Sequence, residues 1–189
     1  MDLKIKGKNA FITGGTRGLG LASLKSLASE GVNIAFCSRS EDGVNETTKH
    51  LSKLGVKYYG FVHEINSNDK NINELVAKLN NNFGDIDILV NNVGGSLGSS
   101  SLLDNDIETY MNVFNINFWA SVKLMKIYSE KMVTNGWGRI INIASIFGRE
   151  YGGKSSSYMS SKASLIAATK HLSIELADKG VTVNSIAPG

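Results

Sequence analysis

Short apolar runs alternate with segments of helical periodicity along the whole sequence, and this alternation restricts the possible folds more than any other feature. Six runs have the length and composition of strands, at residues 9–13, 32–38, 57–63, 86–91, 138–144 and 181–187. The clearest helical segment between them has apolar residues at spacings of three and four, namely Ile72, Leu75, Val76, Leu79 and Phe83. The sequence therefore predicts strands that are separated by helices.

Strand–helix alternation favours parallel strands joined by right-handed crossovers, with helices on both faces of the sheet. The strands are almost continuously apolar, which is typical of a parallel sheet buried on both sides. Gly31 and Gly55 follow predicted helices, where a left-handed backbone is favoured. We predict one doubly wound, Rossmann-type α/β domain of three layers. Such sheets bind ligands beyond the carboxyl ends of their strands.

Composition excludes several other classes of protein. The 189 residues are 42% hydrophobic and 20% charged, which suits one globular domain. The net charge of +3 comes from scattered Lys and Arg, so we expect no nucleic-acid partner. No segment approaches the roughly 20 apolar residues that span a bilayer, and we expect no membrane partner and a cytoplasmic location. Cys37 is the only cysteine and suits the core, and His50, His63 and His171 lack metal-ligand spacing, so we predict no disulfide and no metal.

A glycine-rich segment, residues 13–20, follows the first predicted strand and begins a helix. Glycines at such a turn let the main chain approach a pyrophosphate, whose charge the N-terminus of the helix favours. An ordinary tight turn is the alternative interpretation. The residues predicted to bind the nucleotide here are Gly14, Thr16, Arg17, Gly18, Leu19 and Gly20.

The second strand ends at Ser38 and Arg39, where many NAD-binding sheets place an acid that binds the adenosine ribose. Arg17 can reach the same region from the glycine-rich turn. Because guanidinium groups make paired hydrogen bonds to phosphate, this set favours the 2′-phosphate of NADP(H). Two solvated surface arginines are the alternative.

The ends of the third and fourth strands supply further candidates. Glu64, followed by Ile65, is placed to accept a hydrogen bond from the adenine amine, although a simple surface carboxylate fits equally well. Asn91 ends the fourth strand and Val93 and Gly94 follow it, where a cofactor would cross the sheet. Asparagine pairs also commonly form turns.

A possible proton-transfer group follows the fifth strand. Ser145 stands at the strand end, and Tyr158 and Lys162 are four residues apart near the start of a helix, so they share one face. The ammonium group and the helix N-terminus both favour the tyrosinate form, which suits a phenol that exchanges a proton near neutral pH. A tyrosine and a lysine four residues apart occur often by chance. This pair is informative because it follows a strand end that presents a serine hydroxyl.

Together these residues resemble the short-chain dehydrogenase/reductase superfamily, within it the single-domain branch that includes 3-oxoacyl-acyl-carrier-protein reductases. Residues 13–20 match its TGxxxGxG pattern, and residues 91–94 match NNAG with Val93 in place of alanine. Asn117 falls where the family has a catalytic asparagine, with Asn115 as the alternative if the alignment shifts by half a helical turn. Pro188 and Gly189 match the motif after the sixth strand.

The resemblance implies an NADP(H)-dependent enzyme that transfers hydride to a small carbonyl substrate, or from the alcohol in reverse. Tyr158 would protonate the developing alkoxide, while Ser145 hydrogen-bonds the same oxygen. Lys162 would support tyrosinate and bind the nicotinamide ribose, and Asn117 would position a water. Pro188 and Gly189 would contact the cofactor. A catalytically silent nucleotide-binding or regulatory protein on the same fold is the alternative.

The resemblance also raises expectations about the ends and surfaces of the domain. Relatives continue beyond Gly189 with a substrate-binding helical segment and a seventh strand, so residues 1–189 are expected to form an incomplete oxidoreductase domain. Loops 96–103 and 146–157 are the predicted substrate contacts, the second with Arg149 and Lys154, which also suit ordinary solvated charges. Small and apolar residues in predicted helices 106–134 and 157–179 favour a homodimer or homotetramer, although packing on their own sheet explains many of them.

Overall fold

The computed structural model describes residues 2–151 and 153–189. Within them, six strands form one parallel sheet in the order β3-β2-β1-β4-β5-β6. Their bounds are β1 (Asn9–Thr13), β2 (Asn33–Ser38), β3 (Tyr58–Val62), β4 (Ile88–Asn91), β5 (Gly138–Ile143) and β6 (Val181–Ile186). The predicted doubly wound α/β fold is confirmed. Five of the six predicted strands were one or two residues too long, because the surplus residues at their ends lie beyond the paired registers.

Helices connect the strands. They are α1 (Gly18–Ser29), α2 (Glu41–Leu51), α3 (Asp69–Asn82), α4 (Ile107–Phe114), α5 (Ala120–Thr134) and α6 (Ser156–Glu175), and a short 3-10 turn covers Ile146–Gly148. The predicted helix 106–134 is α4 and α5 joined through a π-helical turn at Asn115–Trp119. The predicted helix 157–179 was too long. It ends at Glu175, and Leu176 is buried where the chain turns towards β6.

Alternate residues of each central strand face opposite layers of the domain. Phe11 of β1 packs in a cluster with α3, α5 and α6, whereas Ile12 packs on the other side with Leu24 of α1 and Leu51 of α2. All four of these side chains are fully buried. Each such side chain contributes roughly 1.5–3 kcal/mol relative to exposure. The two layers hold the strand ends in fixed positions, which is what the site requires.

Across the described ranges, none of the helices is both long and apolar enough to cross a membrane. The same residues contain no group of three or more His, Cys, Asp or Glu side chains arranged to hold a metal ion.

Candidate active site

A crevice of about 950 Å³ lies at the carboxyl ends of the strands. It is centred where β1 pairs with both β2 and β4, so the chain reverses its direction of winding there. Its volume suits a small-molecule or cofactor site. The predicted site residues that line the crevice are Gly14, Thr16, Arg17, Gly18, Leu19, Ser38, Arg39, Glu64, Ile65, Val93, Gly94, Ser145, Tyr158, Lys162, Pro188 and Gly189.

Three predicted site residues do not line the crevice. Gly20 lies behind the turn, where an added Cβ would be 2.2 Å from the Gly14 carbonyl oxygen, so it allows α1 to pack on β1. The Asn91 side chain is buried in the sheet and donates to Asn142 Oδ1 at 2.8 Å. Its neighbour Asn92 lines the crevice instead. Asn117 is the third and is fully buried.

The glycine-rich turn brings main-chain atoms to the crevice. Gly14 and Gly18 have φ angles of +69° and +54°, a region that glycine adopts without steric strain. An added Cβ at Gly18 would meet no atom within 4 Å, so this face of the turn is open. Arg17 precedes α1 but gives it no side-chain cap, unlike Ser40 before α2. The first N–H groups of α1 thus retain capacity for an anionic ligand such as a pyrophosphate.

Polar side chains from three strand ends meet at one end of the crevice. Thr16 Oγ1 and Ser38 Oγ are hydrogen-bonded at 2.8 Å. Arg39 Nη1 donates to Glu64 Oε1 at 3.2 Å, and these two side chains are 68% and 66% exposed. The sequence predicted one ligand contact for each of Arg39 and Glu64, but it did not predict their ion pair. A phosphate at this point would share the Arg39 guanidinium with Glu64.

The catalytic candidates converge at the opposite end. Lys162 is 3% exposed, and its Nζ donates to the Ile143 carbonyl at 2.7 Å and lies 5.7 Å from the centre of the Tyr158 ring. Burial disfavours the ammonium and lowers the pKa of Lys162 to about 8. Ser145 Oγ accepts from the Phe147 N–H at 3.2 Å, so its own proton remains able to bond a substrate oxygen. These side chains combine a phenol, a nearby cation and a hydroxyl donor.

Asn117 is fixed behind this group by main-chain contacts. Its Nδ2 donates to the carbonyls of Gly95 at 2.8 Å and Val113 at 2.9 Å, and its Oδ1 accepts from the Gly95 N–H at 3.0 Å. A Cβ added to Gly94 would lie 2.5 Å from Asn117 Oδ1 and 3.0 Å from Lys162 Nζ. The amide and the ammonium group therefore approach the same glycine. The alternative residue, Asn115, bonds Ser67 elsewhere.

The two predicted substrate loops contact each other beside the crevice. In the loop 146–157, residue 152 lies outside the described residues. Ser157 Oγ donates to Ser99 Oγ at 2.7 Å, and Ser156 Oγ donates to the Ser100 carbonyl at 2.9 Å. Leu97 from the first loop lines the crevice. Arg149 and Lys154 are exposed and are not part of its lining.

Several lining residues were missed as site residues. Cys37 was assigned to the core and is fully buried there, yet it also borders the crevice. Burial raises its pKa to about 12, so it stays a thiol. His63 also lines the crevice, and burial is the main cause of its lowered pKa, which favours the neutral imidazole. For both residues, position at a strand end was the available signal. Ile146 and Phe147, from the predicted substrate loop 146–157, supply apolar surface to the crevice.

Comparisons with known proteins agree with this geometry. The family described as short chain dehydrogenase matches residues 8–189. The 3-oxoacyl-acyl-carrier-protein reductase FabG of Aquifex aeolicus is 34% identical over 193 residues, covering 100% of this chain and 76% of that protein. FabG of Haemophilus influenzae is 36% identical over 185 residues, covering 98% of this chain and 74% of that protein.

Solved structures give the same result. NAD⁺-bound xylitol dehydrogenase superimposes with a TM-score of 0.90 at 29% identity, covering 98% of this chain and 71% of that one. A variant of actinorhodin polyketide ketoreductase with NADPH gives a TM-score of 0.88 at 33% identity, covering 97% and 70%. The chain therefore belongs to the short-chain dehydrogenase family and is an oxidoreductase of CH–OH or C=O groups that uses a nicotinamide nucleotide.

Proposed function

We propose that this protein is an NADP(H)-dependent reductase of small carbonyl compounds, with Tyr158 as the general acid. The observation that carries the proposal is that Ser145, Tyr158 and Lys162 line the same crevice as the glycine-rich turn. A proton donor and a nucleotide site are thus accessible to one bound substrate.

The residues at the glycine-rich turn suit a dinucleotide. Gly18 leaves open space beside the first turn of α1, whose N–H groups favour a pyrophosphate. Arg39, Arg17 and Ser38 are the proposed contacts of the 2′-phosphate, and Glu64 and Ile65 border the adenine. The bound cofactor would supply the hydride that reduces the carbonyl carbon.

The chain's own side chains would handle the oxygen of that carbonyl. Ser145 donates a hydrogen bond to the oxygen, and Tyr158 delivers a proton to it as negative charge develops. Below about pH 8, Lys162 carries a positive charge close to the phenol and stabilises its deprotonated form after transfer. Asn117 acts through its contact with the Gly94–Gly95 main chain, beside Lys162. In oxidation of an alcohol the same groups act in reverse.

For the substrate we propose a 3-oxoacyl thioester. The similar reductases named above act on 3-oxoacyl groups by their names. Leu97, Ile146 and Phe147 give the crevice apolar surface beside Ser145 and Tyr158, which suits an acyl chain next to a polar carbonyl.

We also propose that the protein forms a homodimer or homotetramer in the cytoplasm. Ile107, Met111 and Trp119 on α4 and the π turn are 73%, 62% and 47% exposed, and together they form an apolar surface. Burial of this surface against a second copy would remove it from water. Sedimentation or light scattering would measure the oligomeric state.

The main test is NADPH oxidation by the purified protein over a panel of keto substrates that includes 3-oxoacyl thioesters. Tyr158→Phe should lower turnover by about a hundred- to ten-thousand-fold, because it removes the proton donor, while NADPH binding is retained. Tyr58→Phe is the matched control, since Tyr58 is 38% exposed on β3 and outside the crevice lining. Unchanged turnover in Tyr158→Phe would remove Tyr158 from the proposed role.

A further inference from the structure

The loop before α3 is connected to the helix that carries Asn117. Ser67 Oγ donates to Asn115 Oδ1 at 2.9 Å, across 48 residues of sequence. On its other side, Lys123 Nζ donates to the Ser67 carbonyl at 2.6 Å and pairs with Asp69. We call these four residues the Ser67 bridge. The bridge joins the loop between β3 and α3, the start of α3, the π turn and α5.

The bridge contacts the π turn, where the α-helical hydrogen bonding between α4 and α5 is interrupted. In the π turn, the Ala120 N–H bonds the Asn115 carbonyl five residues earlier. Such turns interrupt the α-helical register, are rare, and occur frequently at functional sites. Asn115 starts the turn, and Asn117 caps the Val113 carbonyl within the helix. The Ser67 hydroxyl is thus a contact from outside the helix at the first residue of the turn.

The π turn sets the position of the groups around Lys162. It directs the Asn117 amide onto both main-chain polar atoms of Gly95. The same amide oxygen and Lys162 Nζ both approach Gly94. A change in the turn would therefore move the Asn117 contact and open space beside the buried ammonium group.

We propose that Ser67 is a positioning residue for Lys162, acting through Asn115, the π turn and Asn117. The inference rests on the proposed function for its catalytic consequence. Lys123 and Asp69 hold the loop so that the Ser67 hydroxyl meets Asn115. None of Ser67, Lys123 and Asp69 lines the crevice, so substitutions there leave the groups that touch ligand unchanged.

The variants are chosen to remove or keep one hydrogen bond. Ser67→Ala removes the donor and Asn115→Ala removes the acceptor, whereas Ser67→Thr and Asn115→Asp keep them. Ser52→Ala is the matched control, because Ser52 is exposed and its hydroxyl bonds only a local carbonyl at the end of α2. The double variant Ser67→Ala/Asn115→Ala tests whether the two losses share one cause.

In steady-state kinetics, Ser67→Ala should lower kcat roughly tenfold with little change in KM, since misplacement of catalytic groups acts on the chemical step. Its pH profile should shift as the environment of Lys162 changes. Ser67→Thr and Asn115→Asp should recover most of the rate, and the double variant should be no worse than either single one. A lower Tm with unchanged kcat and pH profile would overturn the proposal and leave the bridge a purely structural contact.

A second readout needs neither substrate nor cofactor. The ¹³Cε resonance of Lys162, assigned by its loss in Lys162→Met, reports its titration in the free protein. In Ser67→Ala the midpoint should rise by about half a pH unit or more towards the ordinary lysine value, as water reaches the ammonium group. An unchanged midpoint contradicts the inference even if every variant is inactive. An inactive wild-type protein with the expected shift would instead contradict the proposed function alone.

Discussion

The two ends of the crevice differ in how their polar side chains are held. At the end proposed to bind adenosine, the adenosine end, Arg39 and Glu64 are exposed and bonded to each other. At the end with the proposed catalytic residues, the catalytic end, Lys162 and Asn117 are buried and bonded to main-chain atoms. Arg39 and Glu64 are 68% and 66% exposed and form an ion pair. Lys162 and Asn117 are 3% and 0% exposed and bond the carbonyls of β5 and of the segment after β4. The first pair can exchange partners with solvent or ligand, and the second pair cannot do so without disturbing the backbone.

The difference in burial indicates that the two ends of the crevice hold their polar side chains in different ways. Proton transfer depends on fixed distances, and the proposed catalytic groups are held in place before a ligand binds. In the proposed function, the far end of the cofactor contacts the glycine-rich main chain, with side chains such as Arg39 added at the surface. Substitutions should therefore cost more at the catalytic end, in both stability and rate, than at the adenosine end.

The largest effect is expected in the pH dependence of stability and comes from Lys162. Its pKa of about 8 lies below the ordinary lysine value of 10.5, a gap that corresponds to about 3 kcal/mol. Below pH 8 the folded protein must keep a buried charge, and the full cost applies. Between about pH 8 and 10.5 the unfolded chain binds a proton that the folded protein lacks, so the contribution of Lys162 to stability rises with pH.

Urea unfolding of wild type and Lys162→Met at several pH values measures this contribution. The difference between the two proteins is needed because Cys37 acts in the opposite direction above about pH 9, as its pKa is raised by burial. Lys162→Met should be more stable than wild type below pH 8, and its advantage should shrink by pH 10.5. A pH-independent difference would mean that Lys162 is solvated and that the catalytic end is no more rigid than the other.

The second prediction compares two adjacent glycines at the catalytic end. Gly94→Ala places a Cβ 2.5 Å from Asn117 Oδ1 and 3.0 Å from Lys162 Nζ, whereas a Cβ at Gly95 would meet no atom within 4 Å. Gly94→Ala should lower kcat about a hundredfold, because the amide and the ammonium group must both move. Gly95→Ala is the control and should retain near wild-type kcat. Equal rates in the two variants would show that the catalytic end tolerates displacement.

The fold could be predicted from sequence because its signals are local and repeated. The strand at residues 9–13 was placed without error, and the left-handed φ angles of Gly31 and Gly55 are confirmed at +78° and +69°. Strand ends were less accurate, since an apolar residue such as Ile86 is buried without being paired. Burial and strand pairing give the same sequence pattern.

The π turn could not be predicted in the same way. An extra residue in a helical turn changes the hydrophobic period by too little to be visible within residues 106–134. The resemblance located Asn117, but only the structure shows that its amide bonds Gly95 and that Asn115 bonds Ser67. Those contacts join segments that are far apart in sequence.

The contact between Arg39 and Glu64 was within reach of sequence reasoning. Ser38 pairs with Val62 in adjacent parallel strands, so residues just beyond both strand ends lie close together. The same register argument applies to Asn91 and Asn142, which are partners between β4 and β5. Both contacts follow once the strand order and register are assumed, and the family resemblance supplies the strand order that the alternation of elements alone does not.

Smaller effects are expected at the adenosine end. Arg39→Ala should weaken NADPH binding roughly tenfold, because it removes charged hydrogen bonds to the 2′-phosphate, and should change NADH binding little. Lys53→Ala, which removes an exposed positive charge elsewhere, is the control for net charge. Isothermal titration with both nucleotides gives the ratio, and equal losses for both would contradict a phosphate contact.

Glu64→Gln sharpens the same prediction in the opposite direction. The exposed ion pair contributes at most about 1 kcal/mol, so its loss should barely change Tm. Removal of the carboxylate frees the Arg39 guanidinium and lessens repulsion of a phosphate, so NADPH should bind up to about fivefold more tightly while NADH affinity stays level. In Arg39→Ala/Glu64→Gln the effect of Glu64→Gln on NADPH should largely disappear. If it persists, Glu64 acts on the cofactor directly, as the adenine contact predicted from sequence, and the ion pair does not control the 2′-phosphate position.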